Sequence, residues 1–251
     1  MPSKIFYSIL FLCFSDYCVA KNDNTATAAD LSVVAAENHL LQYYEDGKYK
    51  GPTVEILQVL LTQSQLTADI AFMPWARAFS TTQKVPNTLI LSMIRTPERE
   101  HQFHWLIKVS QTARVFISLK NKPENLVSNF QQAKSKLIAV IRNTSAHKEL
   151  VARGFSAQEN LYLVPGDKQM ISLFVNGRVD LLYTDPNLVL DYLAEHPEQD
   201  VEISFNKIAP ENQRHSYIAA NKSTDNKILA RLRVAAVKFQ QTPHYRYLLA
   251  K

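Results

Sequence analysis

Two arginines, Arg95 and Arg99, follow an apolar stretch at 88–94 and stand four residues apart around a Thr-Pro pair. The planar guanidinium of arginine holds a carboxylate through two hydrogen bonds. Backbone N–H groups at a helix N-terminus add to such an anion site. The segment therefore predicts a carboxylate-binding site; the alternative is a solvated helix start in which Arg99 pairs with Glu98 or Glu100.

A tryptophan, Trp75, follows another predicted strand at 67–73 and opens a predicted helix at 75–83. A large aromatic ring at the end of a strand can stack on a ligand. Aromatic residues at such positions more often fill the core, and both interpretations stay open.

Asn143, Thr144 and Ser145 open a helix after a predicted strand at 137–141. Such residues cap helices, and the free backbone N–H groups beside them bind anions. A cap and an anion site are physically compatible, so Thr144 and Ser145 are candidate ligand contacts in either case.

Asp185 ends the predicted strand at 179–183 and precedes Pro186. Its carboxylate could pair with an ammonium group of a ligand. The alternative is an ordinary Asp-Pro turn, for which this pair is well suited.

Catalytic patterns are weak. Ser145 and Lys148 have the spacing of a nucleophile motif of penicillin-binding enzymes, but no Lys-Thr-Gly follows. A proton-transferring enzyme would need a carboxylate or histidine in the cleft, which Glu37 and His39 supply only if they face the ligand.

Metal and cofactor patterns are also weak. His101 and His104 have the i, i+3 spacing of a helical metal pair beside Glu98, but no third ligand follows nearby. Glycine-rich phosphate loops are absent from the sequence. We therefore expect no metal and no cofactor.

The elements that position these residues alternate between strand and helix in two series, which predicts two α/β lobes with a cleft between them. Ligands in open α/β sheets bind beyond the carboxyl ends of the strands, where the candidate residues stand. The predicted strands are 31–36, 67–73 and 88–94, then 113–119, 137–141, 161–164 and 179–183; an amphipathic helix at 225–241 ends the pattern.

The first twenty residues have the layout of a cleaved export signal: Lys4, an apolar run at 5–14 and small residues up to Ala20. We expect residues 1–20 to be a signal peptide. Cys13 and Cys18 both lie in it, so the exported chain has neither a disulfide nor a thiolate metal site.

The charge is mildly basic, with a formal net charge of +5. The basic residues are spread along the chain, which argues against nucleic acid as a partner and favours attraction of small anions. No later apolar run reaches the ~18 residues of a membrane span, so an exported, soluble protein is expected.

Five segments together resemble the family 3 extracellular solute-binding proteins of the polar amino-acid type: Ala71–Ala78, Arg95–Glu100, Phe103–Trp105, Leu137–Ser145 and Asn176–Asp185. The resemblance covers nearly the whole chain after the signal. It implies a periplasmic-binding-protein type II fold, in which two lobes, each a mostly parallel sheet flanked by helices, are joined by two hinge strands. The expected lobes are 27–115 with 210–251, and 116–209.

The resemblance places the carboxylate-binding arginine at Arg99, the stacking aromatic residue at Trp75 and an amine-binding carboxylate at Asp185. Backbone contacts to the carboxylate fall at Thr144 and Ser145. It also implies hinge strands near 113–119 and 203–209.

Three features depart from the family pattern. The Gly-x-x-Asp-Ala segment common before the arginine motif is missing, and residues 85–89 stand in its place. The usual aromatic-x-Pro-aromatic wall is replaced by 37–44, where Tyr43 is the candidate, and Arg95 stands where many relatives carry a small polar residue. A ligand more anionic than a plain amino acid is therefore one expectation.

The expected function is capture of a small polar ligand that carries a carboxylate. Capture would occur by hinge closure in the periplasm, and the protein, a monomer, would deliver the ligand to a membrane permease. The alternatives are a sensor that docks on a membrane receptor and a dehydratase-like enzyme.

Overall fold

A computed structural model describes residues 29–206 and 214–250. Its strands are β1 (Leu31–Ala35), β2 (Tyr43–Glu45), β3 (Lys48–Lys50), β4 (Ala68–Phe72), β5 (Thr88–Ile94), β6 (Phe103–Thr112), β7 (Val115–Leu119), β8 (Ile138–Ile141), β9 (Leu161–Val164), β10 (Leu181–Thr184), β11 (Ile203–Asn206) and β12 (Arg214–Asn221). Its α-helices are α1 (Pro52–Ser64), α2 (Trp75–Lys84), α3 (Phe130–Ala133), α4 (Ser145–Ala152), α5 (Asp167–Val175), α6 (Pro186–Glu195), α7 (Asn226–Gln240) and α8 (Pro243–Ala250). The predicted signal at 1–20 lies outside the described residues.

Ten of these strands form two five-stranded sheets, in the orders β4-β1-β5-β12-β6 and β11-β7-β10-β8-β9. In the first sheet β4, β1 and β5 run parallel, and β12 pairs antiparallel with both β5 and β6. The second sheet repeats the plan, with β9, β8 and β10 parallel and β7 antiparallel to β10 and β11. The carboxyl ends of parallel strands in both sheets therefore supply the segments that carry the candidate residues.

The chain passes from the first sheet to the second between β6 and β7, across Ala113 and Arg114. It returns between β11 and β12, through residues that are not described. This is the fold class predicted from the sequence. The lobe boundaries predicted at 115/116 and 209/210 stay a prediction.

Local sequence explains the main elements. Four of the seven residues of β5 form an unbroken buried run at its start, as expected for a strand covered on both faces. Helix α1 begins at Pro52, whose missing N–H costs nothing in the first turn, and buries Val54, Leu57 and Leu60. Each fully buried leucine contributes roughly 1.5–3 kcal/mol. The C-terminal helix α7 buries Leu232, Ala235 and Phe239, as its periodicity predicts.

Several elements were not predicted. The long strands β6 and β12 pair along most of their length, and the hairpin of β2 and β3 follows the 38–42 loop. The predicted strand at 113–119 begins two residues later, because Ala113 and Arg114 form the crossover. His104 lies on β6, so the helical spacing assigned to His101 and His104 was wrong.

The two halves of the molecule touch beside the hinge. Ile141, at the end of β8, packs against the cluster that contains Trp75, Phe103 and Met93 of the first half. Leu40 in turn packs against the core of the second half. Among the described residues, no helix has the length and apolar character needed to cross a membrane.

Candidate functional site

A cavity of about 150 Å³ lies where the ends of β5, β8 and β10 meet the start of α2. We call it the arginine cavity. It brings together four of the candidates, Trp75, Arg99, Thr144 and Ser145, from both halves of the molecule. Its other lining residues are Ser92, Ile94, Arg114, Val140, Ile141, Ala146, Met170, Tyr183 and Thr184.

Arg99 is the most buried of the charged residues in this wall, at 2% exposure. Its Nη1 donates to the carbonyl of Ile94 at 3.1 Å, and its Nη2 is buried without a hydrogen-bond partner. The guanidinium lies over the rings of Trp75 and Phe79, 5.5 and 4.9 Å from their centroids. A buried donor of this kind is costly unless a partner satisfies it, so an anion that reached it would be stabilised.

The predicted alternative, in which Arg99 pairs with a neighbouring glutamate, is not the arrangement found. Glu100 instead pairs with Arg95. Burial first, and then the charge of Arg114, lower the pKa of Arg99 to about 10. Both effects disfavour the charged guanidinium, and the negative charge of a bound carboxylate would act in the opposite direction.

Arg114 supplies a second cation that sequence reasoning missed. Its side chain is 8% exposed; it reaches Glu149 at 3.3 Å and donates a hydrogen bond to the hydroxyl of Ser145. Burial first, and then Arg214, lower the pKa of Arg114 to about 10. Because Arg114 occupies the crossover itself, it ties the hinge directly to the start of α4.

Glu149 is shared among three arginines. Its carboxylate contacts Arg214 at 2.6 Å, Arg114 at 3.3 Å and Arg153 at 3.4 Å. One negative charge therefore faces three positive charges. Burial first, and then Glu149, raise the pKa of Tyr183 to about 12, so its hydroxyl stays protonated beside this group.

Thr144 and Ser145 begin α4, as predicted. The Thr144 hydroxyl accepts the backbone N–H of His147 at 3.2 Å and donates to the carbonyl of Ile141 at 2.7 Å. Asn143, just before them, has a φ of 61°, a left-handed conformation that turns the chain from β8 into the helix. Thr144 is therefore the N-cap of α4, as predicted. The positive N-terminal end of the helix dipole lies at the arginine cavity.

Trp75 is 8% exposed, and its ring forms part of both the cavity wall and a buried cluster. Its indole nitrogen donates to the carbonyl of Asn143 at 3.0 Å. Trp75 was expected either to fill the core or to stack on a ligand. The two interpretations are compatible, because Trp75 belongs to a buried cluster and also lines the arginine cavity.

Ser92 interrupts β5 with a φ of 54°, where the pairing with β12 shifts register. A non-glycine residue in this region is strained and is often found at functional sites. Its hydroxyl donates to Oε1 of Gln42 at 2.6 Å and lies 3.2 Å from the hydroxyl of Thr53. Gln42 is thus the residue through which the 37–44 segment supports the cavity.

Arg95 and Tyr43 are not brought into the arginine cavity. Arg95 is exposed, pairs with Glu100, and lies over the rings of Trp105 and Tyr217, each at 5.4 Å. Tyr43 belongs to the β2 strand and stacks with His39, 6.5 Å between ring centroids, in a separate surface cleft.

Asp185 caps α6. Its Oδ1 accepts the backbone N–H of Asn187 at 2.9 Å, and its Oδ2 accepts a hydrogen bond from the hydroxyl of Thr112. It lines a neighbouring cavity of about 280 Å³ that shares Ser92 and Arg114 with the arginine cavity. The Asp-Pro interpretation thus describes its local structure.

The weaker patterns do not converge in the structure. Ser145 bonds Arg114, whereas the ammonium of Lys148 lies 5.6 Å from the ring centroid of Phe79. His104 contacts the carbonyl of Lys222 at 3.1 Å. In the parts of the chain that are described, no three His, Cys, Asp or Glu side chains group as metal ligands.

A larger cavity of about 550 Å³ opens between the hairpin and the start of α5. Tyr44, Tyr49 and Phe72 form a row of aromatic rings there, with centroids 5.0 and 4.8 Å apart. On the opposite side Asp167 is 3% exposed, and its Oδ2 is buried without a partner. Burial raises the pKa of this carboxyl, with His39 opposing the shift and Glu37 adding to it.

The arginine cavity can therefore bind an anion: two guanidinium groups, a helix N-terminus and hydroxyl groups surround one small space. Sequence reasoning found Arg99, Trp75, Thr144 and Ser145 because each follows a strand. It missed Arg114, whose only sequence signal is a charge beside an apolar strand start.

Comparison with known proteins supports this architecture. No family model matches the chain. It is similar to the L-cystine-binding protein TcyA of Bacillus subtilis (strain 168), with 23% identity over 212 residues, which cover 78% of this chain and 77% of that protein.

Solved structures agree on the fold. A histidine kinase sensor domain with similarity to periplasmic binding proteins has a TM-score of 0.76 at 16% identity, covering 87% of this chain and 93% of that one. An ancestral arginine-binding protein bound to arginine has a TM-score of 0.73 at 16% identity, covering 87% and 95%. The two-lobed fold predicted from the sequence is confirmed.

Proposed function

We propose, from its likeness to the family 3 solute-binding proteins, that this protein captures a small polar, carboxylate-bearing ligand between its two lobes. The TcyA relative is a binding protein for L-cystine, and a structural neighbour is an arginine-binding protein. Both are binding proteins, and we take this protein to act by binding instead of by catalysis.

One observation carries the proposal: the buried, unpartnered Nη2 of Arg99 in a cavity between the lobes. A carboxylate placed there would accept from Nη2 and offset the lowered pKa of the guanidinium. Trp75 forms the neighbouring wall. From the other lobe come Ser145, with its backbone N–H, and Thr144, whose own N–H donates to the carbonyl of Ile141 at 3.3 Å.

Closure is the proposed mechanism. The ligand docks on the first lobe through Arg99 and Trp75, and the second lobe then adds Thr144 and Ser145. Because these contacts exist together only when the lobes meet, the ligand shifts the population toward the closed form. The boundaries 27–115 with 210–251, and 116–209, define the two bodies that would move.

The remaining candidates support the proposal less. Arg95 and Tyr43 lie outside the arginine cavity, and Asp185 lies in the neighbouring one. Their contact with a ligand would require a ligand that extends beyond this cavity.

The proposed setting is the periplasm, where the protein would act as a monomer and deliver its ligand to a membrane permease. The predicted signal at 1–20 and the binding-protein relative both favour this setting. No nucleic acid, metal or cofactor has a place in the proposal.

The test compares Arg99→Ala with Arg95→Ala. Purified protein without residues 1–20 is screened by thermal shift against short carboxylates and amino acids, because a ligand that binds only the folded state raises the melting temperature. The affinity of the best probe is then measured by calorimetry. Arg99→Ala should lose about 2–5 kcal/mol of binding free energy.

Arg95→Ala serves as the matched control, because Arg95 is an exposed arginine four residues away. Its affinity should stay close to wild type. Equal affinities for wild type and Arg99→Ala would refute the carboxylate site, and product formed from the probe would favour an enzyme instead.

A sensor is the second candidate, and the likeness to a histidine kinase sensor domain favours it. A membrane receptor could bind the closed, ligand-loaded form instead of a permease. Co-purification of ligand-loaded protein with either a permease or a kinase from membranes of the source cell would separate the two roles.

A further inference from the structure

We infer that the arginine cavity selects a short carboxylate that lacks an α-ammonium group, an anion of about three or four carbon atoms. This inference rests on the proposed function and narrows its ligand class. It departs from what amino-acid-binding relatives would suggest, and three observations carry it.

The first observation is charge. Arg99 and Arg114 both line the cavity, and the lining residues among those described include no carboxylate. An ammonium group in this space would face two guanidinium groups with no carboxylate in the described cavity wall, and such burial of a charge without a direct partner is strongly unfavourable. A carboxylate, by contrast, satisfies the free Nη2 of Arg99.

The second observation is the state of Asp185, the nearest candidate partner for an ammonium group. It lies outside the arginine cavity, in the neighbouring one. Each of its two oxygens already accepts a hydrogen bond, one from the backbone of Asn187 and one from Thr112. Its carboxylate therefore helps to hold α6 and the end of β6, outside the lining of the arginine cavity.

The third observation is the balance of charge among the residues that contact Arg114. Glu149 is the acidic group in contact with Arg114, yet it also contacts Arg153 and Arg214. Arg99 adds another cation; it forms no ion pair with a carboxylate among the described residues, and the charge of Glu98 offsets it only in part. The surroundings therefore retain positive charge that a second carboxylate of the ligand can neutralise, which favours dicarboxylates over monocarboxylates.

Size limits the ligand further. A cavity of about 150 Å³ is large enough for a molecule of benzene size, and the arginine cavity has about that volume. Propanoate fits within this limit, and succinate reaches its upper end. A longer amino acid would have to extend into a neighbouring cavity.

The experiment uses two pairs of probes that differ only in the α-amino group: propanoate with L-alanine, and succinate with L-aspartate. Calorimetry on the protein without residues 1–20 gives the affinity of each. We expect each des-amino acid to bind at least about tenfold more tightly than its amino acid, and succinate to bind more tightly than propanoate.

Asp185→Asn is the matched variant, because asparagine keeps an oxygen that can cap α6 while removing the charge. The inference predicts that neither amino acid loses affinity selectively, relative to its des-amino partner, in this variant. If Asp185→Asn selectively weakens the amino acids, Asp185 holds an ammonium group and the inference is wrong.

The outcomes also separate the inference from the proposed function. Tighter binding of L-alanine and L-aspartate than of their partners overturns the inference alone, since a carboxylate ligand is still captured. If no carboxylate or amino acid binds at millimolar concentration, both the inference and the proposed carboxylate site are refuted.

Discussion

The indole nitrogen of Trp75, in the first turn of α2, donates a hydrogen bond of 3.0 Å to the carbonyl of Asn143, in the turn before α4. The donor belongs to the first lobe and the acceptor to the second. The side chain that walls the arginine cavity therefore also links the lobes beside it. In the proposed function, Trp75 makes both the ligand contact and the lobe contact, which would couple binding to closure.

Replacing Trp75 with phenylalanine should weaken closure more than it weakens folding. Phenylalanine keeps an aromatic ring for the core but has no N–H for Asn143, and a typical hydrogen bond contributes about 0.5–1.5 kcal/mol. We expect a several-fold loss of ligand affinity, measured by calorimetry, and a larger radius of gyration of the loaded protein in small-angle scattering.

Trp105→Phe is the control, because the sequence contains two tryptophans and Trp105 bonds the carbonyl of Glu100 away from the cavity wall. Its affinity should match that of the wild type. A loss as large as that of Trp75→Phe would show that general packing, and not the Asn143 contact, sets the affinity.

Glu149→Gln should destabilise the protein by about 3–5 kcal/mol, the usual cost of removing one partner from a buried ion group. The glutamate is 12% exposed and contacts Arg114, Arg153 and Arg214. Denaturant unfolding measures the change. Succinate should stabilise this variant more than the wild type, because an added anion replaces part of the lost charge.

Glu202→Gln provides a comparison at an exposed pair. Glu202 lies 2.8 Å from Lys120, with side chains 75% and 61% exposed. Exposed pairs contribute about 0–1 kcal/mol, so this variant should unfold close to wild type. Equal losses in the two variants would contradict the role given to the Glu149 cluster.

Asp167→Asn should raise stability at neutral pH. Burial raises the pKa of Asp167 above its ordinary value of 3.8, so the folded protein holds this proton more tightly than the unfolded chain. The protonated carboxyl therefore adds to the free energy of unfolding. This stabilisation is fully present below pH 3.8 and is lost as the pH rises through the folded-state pKa. Asparagine removes that loss while its oxygen can still accept from Lys168.

Thermal unfolding of Asp167→Asn and wild type over a range of pH measures this effect. The difference in melting temperature should be largest near neutrality and shrink toward acid. Asp69→Asn, at an exposed position on β4, should show no such trend. A constant difference at every pH would mean that the buried carboxylate is not its cause.

The sequence was sufficient for the architecture and for part of the site. Strand ends can be located from apolar runs, and they supplied Trp75, Arg99 and Thr144 because the carboxyl edges of parallel strands are where ligands meet the sheet. Their convergence on one cavity depends on contacts between residues far apart in the chain, which periodicity does not encode.

Other parts of the site had no readable local signal. Ser92 adopts a left-handed conformation within an apolar strand, where sequence patterns favour regular extended backbone. Arg114 lies within the strand predicted at 113–119, but in the structure it belongs to the crossover before β7. Its contacts with Ser145 and Glu149 arise only from this placement. Tertiary contacts determine both features.

We expect His147 to make ligand binding depend on pH. Its Nδ1 accepts the backbone N–H of Asn143 at 3.1 Å, which helps to hold the left-handed turn that receives the Trp75 hydrogen bond. Burial first, and then the charges of Arg142 and Lys148, lower the pKa of this imidazole below its ordinary value of 6.5. Only the neutral ring can accept at Nδ1.

The sign of the effect follows from linkage. The unfolded chain takes up the proton at His147 before the folded protein does, so this contribution to stability is present above pH 6.5 and is lost as the pH falls toward the folded-state pKa. Ligand affinity should fall over the same range, because a protonated His147 releases Asn143.

His147→Gln should flatten part of this decline, measured as melting temperature and ligand affinity between about pH 7.5 and pH 5. His104 and His215, whose pKa values are also lowered by burial, will keep their share of the stability slope. The affinity slope is therefore the sharper readout, because His147 is the histidine bonded to the Asn143 turn. His101→Gln, at an exposed position, is the control and should retain the wild-type slope in both measurements. If the affinity of His147→Gln depends on pH as that of the wild type does, the Asn143 turn has no part in ligand binding.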